Sequence, residues 1–354
     1  MQRKGETVEI VVLLLLFLPL FIIMWFANRA DRFRLSDTND TGTVWAVFCY
    51  LSLVMLHLLV LGMVSLLSLL TSLAASTPIP AGMPGPQIDA AMLEGLNQAK
   101  VVVMVTTLAG LIVLLPFVRR LIALLIPIDS SSRVHAAALS LSALIFAYLM
   151  ATVAIGLDNI AKWNEAAPRS TAGTVSSIWA QDILLTLLAL VGVGWLARRR
   201  FGDALQRLGI VKPSFRQLGL GVGIGLAMVV VAQVVEQLLY AAGIPLDPHV
   251  EKVTEQVIGP LFSSVPGILT LGMAAALGEE SLFRGALQPR FGIFFTSVLF
   301  SFIHSNYGLS ISTLIVFLLG LVLGWIRRRH NTVTSMAVHA TYNITLGVLT
   351  QFMR

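Results

Sequence analysis

The chain has 354 residues, of which 56% are hydrophobic and only 12% charged. A soluble domain of that size needs a charged skin that this composition does not supply, so a water-soluble globular class is excluded. The net charge of +6 and the pI near 9.8 do not mark a nucleic-acid binder: the basic residues stand in short clusters at the ends of apolar runs, as at Arg119-Arg120, Arg198-Arg199-Arg200 and Arg327-Arg328-Arg329, where they act as membrane stops.

A bilayer core about 30 Å thick takes roughly 20 apolar residues in a helix, and runs of that length recur along the chain. In order, the predicted spans are 8–28, 44–73, 101–117, 135–157, 178–196, 218–240, 266–288, 291–304, 309–326 and 332–352. The expected fold is therefore an all-α, polytopic integral membrane helical bundle of about ten transmembrane helices. The first run, 10–27, is longer than a signal-peptide core and is followed by Asn28-Arg29-Ala30-Asp31 rather than by a small-residue cleavage site, so it reads as a retained span. The one cysteine, Cys49, lies inside the second run, which excludes an internal disulfide. If the Pro-rich, charge-poor stretch 76–99 is placed outside, alternation puts sixteen of the 24 basic residues inside and seven outside, with Arg284 left within a span. That excess sets the orientation.

A seam near Arg198 divides the chain. Residues 1–197 hold about five plain Leu/Val/Ala spans, with little intramembrane polarity beyond His57 and Asp182, for which no partner is evident in sequence. They read as an accessory region. Residues 198–354 begin with an amphipathic connector, 199–216, and a Gly-rich span (Gly219, Gly221, Gly223, Gly225) suited to close helix packing. Nearly all the unusual polar residues follow it.

Ionisable residues at membrane depth are costly, and are functional or at least paired. Glu280 and Arg284 are four apart, so they share a helical face and can pair. Glu279 is turned about 100° away and need not join them. A structural Glu–Arg clasp is the plainer reading of that segment. His304 closes an apolar stretch in which a packing role is the simpler one. His339 and Asn343 are again four apart and project together. Depth joins the three clusters. At about 1.5 Å per residue, Glu279 and His304 lie about 16 and 20 Å from the turn expected at Pro289–Gly292, and His339 about 12 Å from the Arg-rich end on the same side. All three occupy one slab of the membrane. A carboxylate beside an imidazole can take and pass on the proton of a water molecule, and a second His with an Asn can hydrogen-bond an oxyanion. Two His and a Glu can equally hold a divalent metal such as zinc, although the compact His-Glu-x-x-His motif is absent.

At these residues the chain resembles the CPBP family of intramembrane proteases, which includes the type II CAAX prenyl endopeptidases and bacteriocin-processing proteins. The family pattern is Glu-Glu-x-x-x-Arg, then Phe-x-x-x-His, then His-x-x-x-Asn. Here it stands as Glu279-Glu280…Arg284, Phe300…His304 and His339…Asn343, in order, and the resemblance covers about residues 198–354. It implies a membrane endopeptidase in which Glu279 and His304 activate water, His339 and Asn343 stabilise the oxyanion, and Glu280 and Arg284 orient the site, by a glutamate-type or a metal-dependent route. It also implies a peptide or protein substrate at the membrane, with a prenylated protein as one option, the lipid bilayer as surroundings, no nucleic acid, and a bacterial cytoplasmic membrane as the location. A proton-coupled transporter and a non-catalytic scaffold are the alternatives.

Overall fold

A computed structural model describes residues 2–34, 39–76, 90–166, 171–244 and 247–353. Residues 77–89, within the stretch on which the orientation was set, lie outside these, as do Arg169 and Arg354. The described residues form helices and no strand. The first seven α-helices are α1 (Gln2–Arg34), α2 (Asn39–Ser76), α3 (Ala90–Ile112), α4 (Pro116–Ile122), α5 (Arg133–Ile155), α6 (Leu157–Ala166) and α7 (Thr171–Gly192). They are followed by α8 (Phe201–Leu208), α9 (Phe215–Ala241), α10 (Pro248–Ile258), α11 (Val265–Glu279), α12 (Gln288–Phe302), α13 (Ile311–Arg329) and α14 (Thr332–Met353).

Each predicted span falls on a helix, but fewer than ten of these helices are membrane-length. Seven (α1, α2, α3, α5, α7, α9 and α13) are long and apolar enough to cross a bilayer, or up to eight if one bent pair counts as a span. The physical reason is length and polarity. Helices α11 and α12 have 15 residues each, about 22 Å at 1.5 Å per residue, short of a core of about 30 Å. Helix α14 is long enough, but Thr332, Thr334, Ser335 and His339 give it a polar face that is buried within the protein. Outer faces show the opposite pattern. Leu15, Leu58, Leu66 and Val230 are exposed, as in a protein whose solvent is lipid.

Side chains at the helix starts fix the elements that carry the polar residues. Ser264 caps α11 by accepting from the Gly267 amide at 3.2 Å, with Pro266 in the first turn, where its missing N–H costs nothing. At the start of α14, Asn331 Oδ1 accepts from the Thr334 amide at 2.8 Å. The Thr332 amide donates to the Gly209 carbonyl at 3.1 Å, which pins α14 to the end of α8. Gly209 closes α8 at φ +73, a left-handed conformation natural to glycine.

Close packing sets the lateral position of α14. Gly221 and Gly225 of α9 face it: a methyl group at Gly225 would come within 2.7 Å of the Val338 carbonyl oxygen and of Thr341 Cβ, and one at Gly221 within 2.6 Å of Ala337 Cβ. Gly219 and Gly223 face open space, so half of the glycines in this span bring the helices together. From the other side, α11 brings Gly272 against the Ala340 carbonyl.

Two apolar clusters complete the frame. Phe283, Phe291, Leu299, Phe300, Leu323 and Val338 pack α12, α13 and α14 together, and Ile23, Ala27, Cys49, Leu53, Ala137 and Leu188 join α1, α2, α5 and α7. The Asn28 amide nitrogen ties α1 to α7 through the Val191 and Gly192 carbonyls at 3.0 and 3.1 Å.

Candidate active site

Helix α11 ends at Glu279 and the chain continues without a loop into a π-helical segment, Glu280–Leu287. A π turn widens the helix by one residue and is rare outside functional sites. Helix α12 follows directly. The turn expected at Pro289–Gly292 is present as a kink where two helical stretches meet, at Gly292, whose φ 77 and ψ 168 leave helical geometry. The His304 position differs from expectation. Helix α12 stops at Phe302, and His304 stands in the connector just before a 3-10 turn, Ser305–Tyr307.

The adjacent carboxylates have different surroundings. Glu280 is fully buried and forms an ion pair with Arg284 at 3.4 Å, despite the π geometry between them. Its Oε1 lies 3.1 Å from His339 Nδ1, and its Oε2 accepts from the Ser335 hydroxyl. A charge removed from water needs such partners on every side. The Arg284 guanidinium lies 4.0 Å above the Phe300 ring, so a cation–π contact supports its buried face. Phe300 also meets the His304 and His339 rings edge-on, at 5.1 and 5.9 Å between centroids.

Glu279 points the other way. Its Oε2 lies 4.0 Å from His304 Nε2 and 4.0 Å from His339 Nε2, and it makes no hydrogen bond to the protein among the described residues. That separation is too long for a direct hydrogen bond and matches the span of a bridging water. The Glu279 and His304 side chains keep 12% and 23% of their surface exposed, against 3% for His339, so the first two are the ones that water can reach. His304 Nδ1 is 2.9 Å from the Phe300 carbonyl oxygen. A carbonyl can only accept, so Nδ1 carries the proton and Nε2 presents a lone pair toward Glu279. By the same logic His339 donates from Nδ1 to the Glu280 carboxylate.

The structure thus brings five of the six singled-out residues into one cluster: Glu279, Glu280, Arg284, His304 and His339. Asn343 is one turn beyond His339 on α14, and its Nδ2 donates to the Leu271 carbonyl at 3.2 Å, which leaves its second amide hydrogen free of that bond. Two neighbours were not among those six. Ser335 holds Glu280, and its position one turn before His339 on the same face was a usable signal. Asp182 of α7 is buried against Gly278, where any side chain on the glycine would collide with its carboxylate, so it lies one residue from Glu279. Its chain neighbours give no hint of that.

Among the described residues no group of three His, Cys, Asp or Glu side chains is placed to hold one ion; Glu280 engages His339 through Nδ1 and leaves its Nε2 open toward Glu279.

One continuous cavity of about 1100 Å³ reaches Glu279 and His304. Its walls come from α1, α5 and α7 as well as from the π segment and α12; Leu20, Leu141, Leu185 and Phe283 are among them.

Residues 261–345 match the model of a protein family described as type II CAAX prenyl endopeptidase Rce1-like, and all six singled-out residues fall within the match. The family resemblance read from the three motifs is borne out over that segment. Uncharacterized protein YpbD of Bacillus subtilis (strain 168) is 41% identical over 68 residues, 18% of this chain and 35% of that protein. The chain thus matches about a third of the length of that curated relative (35%). No solved structure matches.

Proposed function

We propose that the chain is a membrane-embedded endopeptidase, in which Glu279 and His304 activate a water molecule against a peptide bond of a membrane-associated or lipid-modified protein or peptide. The observation that carries this reading is the Glu279 oxygen lying 4.0 Å from both imidazole nitrogens, partly open to a cavity large enough for an extended peptide.

The steps balance without a further reactant. A water between Glu279 Oε2 and His304 Nε2 donates one hydrogen bond to each. As its oxygen attacks the scissile carbonyl carbon, its proton passes to Glu279. The carbonyl π electrons move onto oxygen, and the resulting oxyanion is met by the free hydrogen of Asn343, with the His339 ring beside it. Glu279 then returns the proton to the departing amine nitrogen as the C–N bond breaks. Glu280 and Arg284 do not touch the substrate; they hold His339 in place and in the right tautomer. Residues 198–354 form the protease core and residues 1–197 an accessory region. The Bacillus subtilis relative supports a bacterial cytoplasmic membrane as its seat.

The test is mass spectrometry of peptide termini in membranes from cells expressing the wild type or the Glu279→Gln and His304→Ala variants. New termini are expected with the wild type and are expected to disappear in both variants at equal protein abundance. General acid–base catalysis contributes about 10²–10⁴-fold, so residual cleavage should fall below detection. Termini that persist in either variant would remove that residue from the mechanism, and identical termini with and without the wild-type protein would favour a transporter or scaffold.

A further inference from the structure

The cavity that reaches Glu279 has an end whose charge the hydrolytic steps do not use. Arg34, Arg198, Arg199, Arg207 and Arg290 line it, against the two carboxylates Asp31 and Asp129. Both carboxylates are already engaged. Asp129 pairs with Arg34 at 3.2 Å, and Asp31 accepts from the Arg133 amide at 2.8 Å and lies 3.6 Å from Arg34.

Among the described residues none of the other four arginines forms an ion pair, although Asp31 lies within electrostatic reach of Arg198. Arg199 donates to the Val193 carbonyl at 2.8 Å and Arg207 to the Gly285 carbonyl at 3.4 Å. Arg198 Nε is buried with no hydrogen bond among the described residues, and Arg290 is exposed. Their mutual proximity shows in the Arg207 guanidinium, which burial, and then Arg290, Arg199, Arg327 and Arg198, bring down to about 10. It remains charged at neutral pH, in a field of like charge. Crowded, partly desolvated guanidinium groups are unfavourable alone and strongly favourable around an anion. Their planar fork suits a carboxylate bidentately, and low-dielectric walls focus the potential.

Resting on the endopeptidase reading, we infer that this arginine-lined end binds a carboxylate group of the substrate, a few residues from the scissile bond, and that the accessory helices take part in substrate selection through it. The reach is suitable. Arg290 is eleven residues from Glu279, at most roughly 16 Å of helix, which about four or five extended residues cover at 3.3–3.6 Å each. Arg34 and Arg198 come from the first 197 residues and their edge, so the pocket is shared between the two halves of the chain. The carboxylate belongs either to a free C-terminus or to an acidic side chain.

The probes are three fluorescein-labelled hexa-alanine peptides: one with a free C-terminal carboxylate, one amidated, and one amidated with a glutamate in the fifth place. Binding is read by fluorescence polarisation on the full chain carrying Glu279→Gln, in nanodiscs of zwitterionic phosphatidylcholine, so that neither cleavage nor anionic lipid interferes. One of the two carboxylate peptides should bind at least ten-fold tighter than the fully amidated one, and which one does so identifies the source. The preference should weaken with salt, fall several-fold in Arg290→Gln and Arg198→Gln, and survive in Arg290→Lys. Equal affinity for all three peptides, or an unchanged preference in the Arg290→Gln and Arg198→Gln variants, would overturn the inference. Binding is measured apart from cleavage, so the two ideas fail separately. A protein that prefers carboxylates but generates no termini loses only the protease reading, and one that cleaves without the preference loses only the arginine site.

Discussion

Glu279 and Glu280 are neighbours in the chain and opposites in their surroundings, and a substitution at each should separate structure from chemistry. Glu280 compensates Arg284 in the protein interior, so Glu280→Gln leaves a buried charge unpaired. Breaking such a pair costs about 3–5 kcal/mol, and thermal unfolding in detergent should show a clearly lowered midpoint together with lost activity. Glu279→Gln, whose Oε2 bonds no other group of the protein among the described residues, should unfold like the wild type while losing cleavage; equal midpoints for the two variants would contradict this division. Much of the cluster was legible because ionisable residues inside apolar runs are few. The 100° offset between adjacent helical residues already separated the two glutamates. What remained illegible were the partners contributed by other elements: the Phe300 ring beneath Arg284, and Asp182 against Gly278, a contact between residues far apart in the chain.

Among the elements, the π-helical segment and the α9–α14 contact do most to set the site geometry. Gly225 and Gly223 of α9 test the contact, because one faces α14 and the other faces open space. Gly225→Ala should cost about 1–3 kcal/mol through overpacking and displace His339. Gly223→Ala should be neutral or stabilising by up to about 1 kcal/mol, as expected from helix propensity. Unfolding midpoints of the two variants decide it, and equal shifts would contradict the packing. The helices themselves were readable from apolar runs of about 20 residues. Two features were not. A π turn changes only the hydrogen-bond register and leaves no compositional mark, so the widened helix below Glu279 was unforeseen. The short α11 and α12 also looked like spans, because a run flanked by polar residues does not reveal whether those residues face lipid or a cavity.

At the scale of the whole molecule, one cavity is walled by helices from both sides of Arg198. The seam at Arg198 is visible as a shift in composition, yet composition cannot say which helices become neighbours, and α1, α5 and α7 wall the space that opens on Glu279. In the proposed reaction a carboxylate from α11 and an imidazole from the connector after α12 work on one water as a unit. Groups that act as a unit are non-additive when removed. The most direct test is the turnover number of the purified full chain in nanodiscs, on a substrate found by its termini, for Glu279→Gln, His304→Ala and the double variant. Each single variant should lose about 10²–10⁴-fold and the double no more than the worse single. Losses that multiply in the double variant would contradict a shared water and show the two residues acting independently.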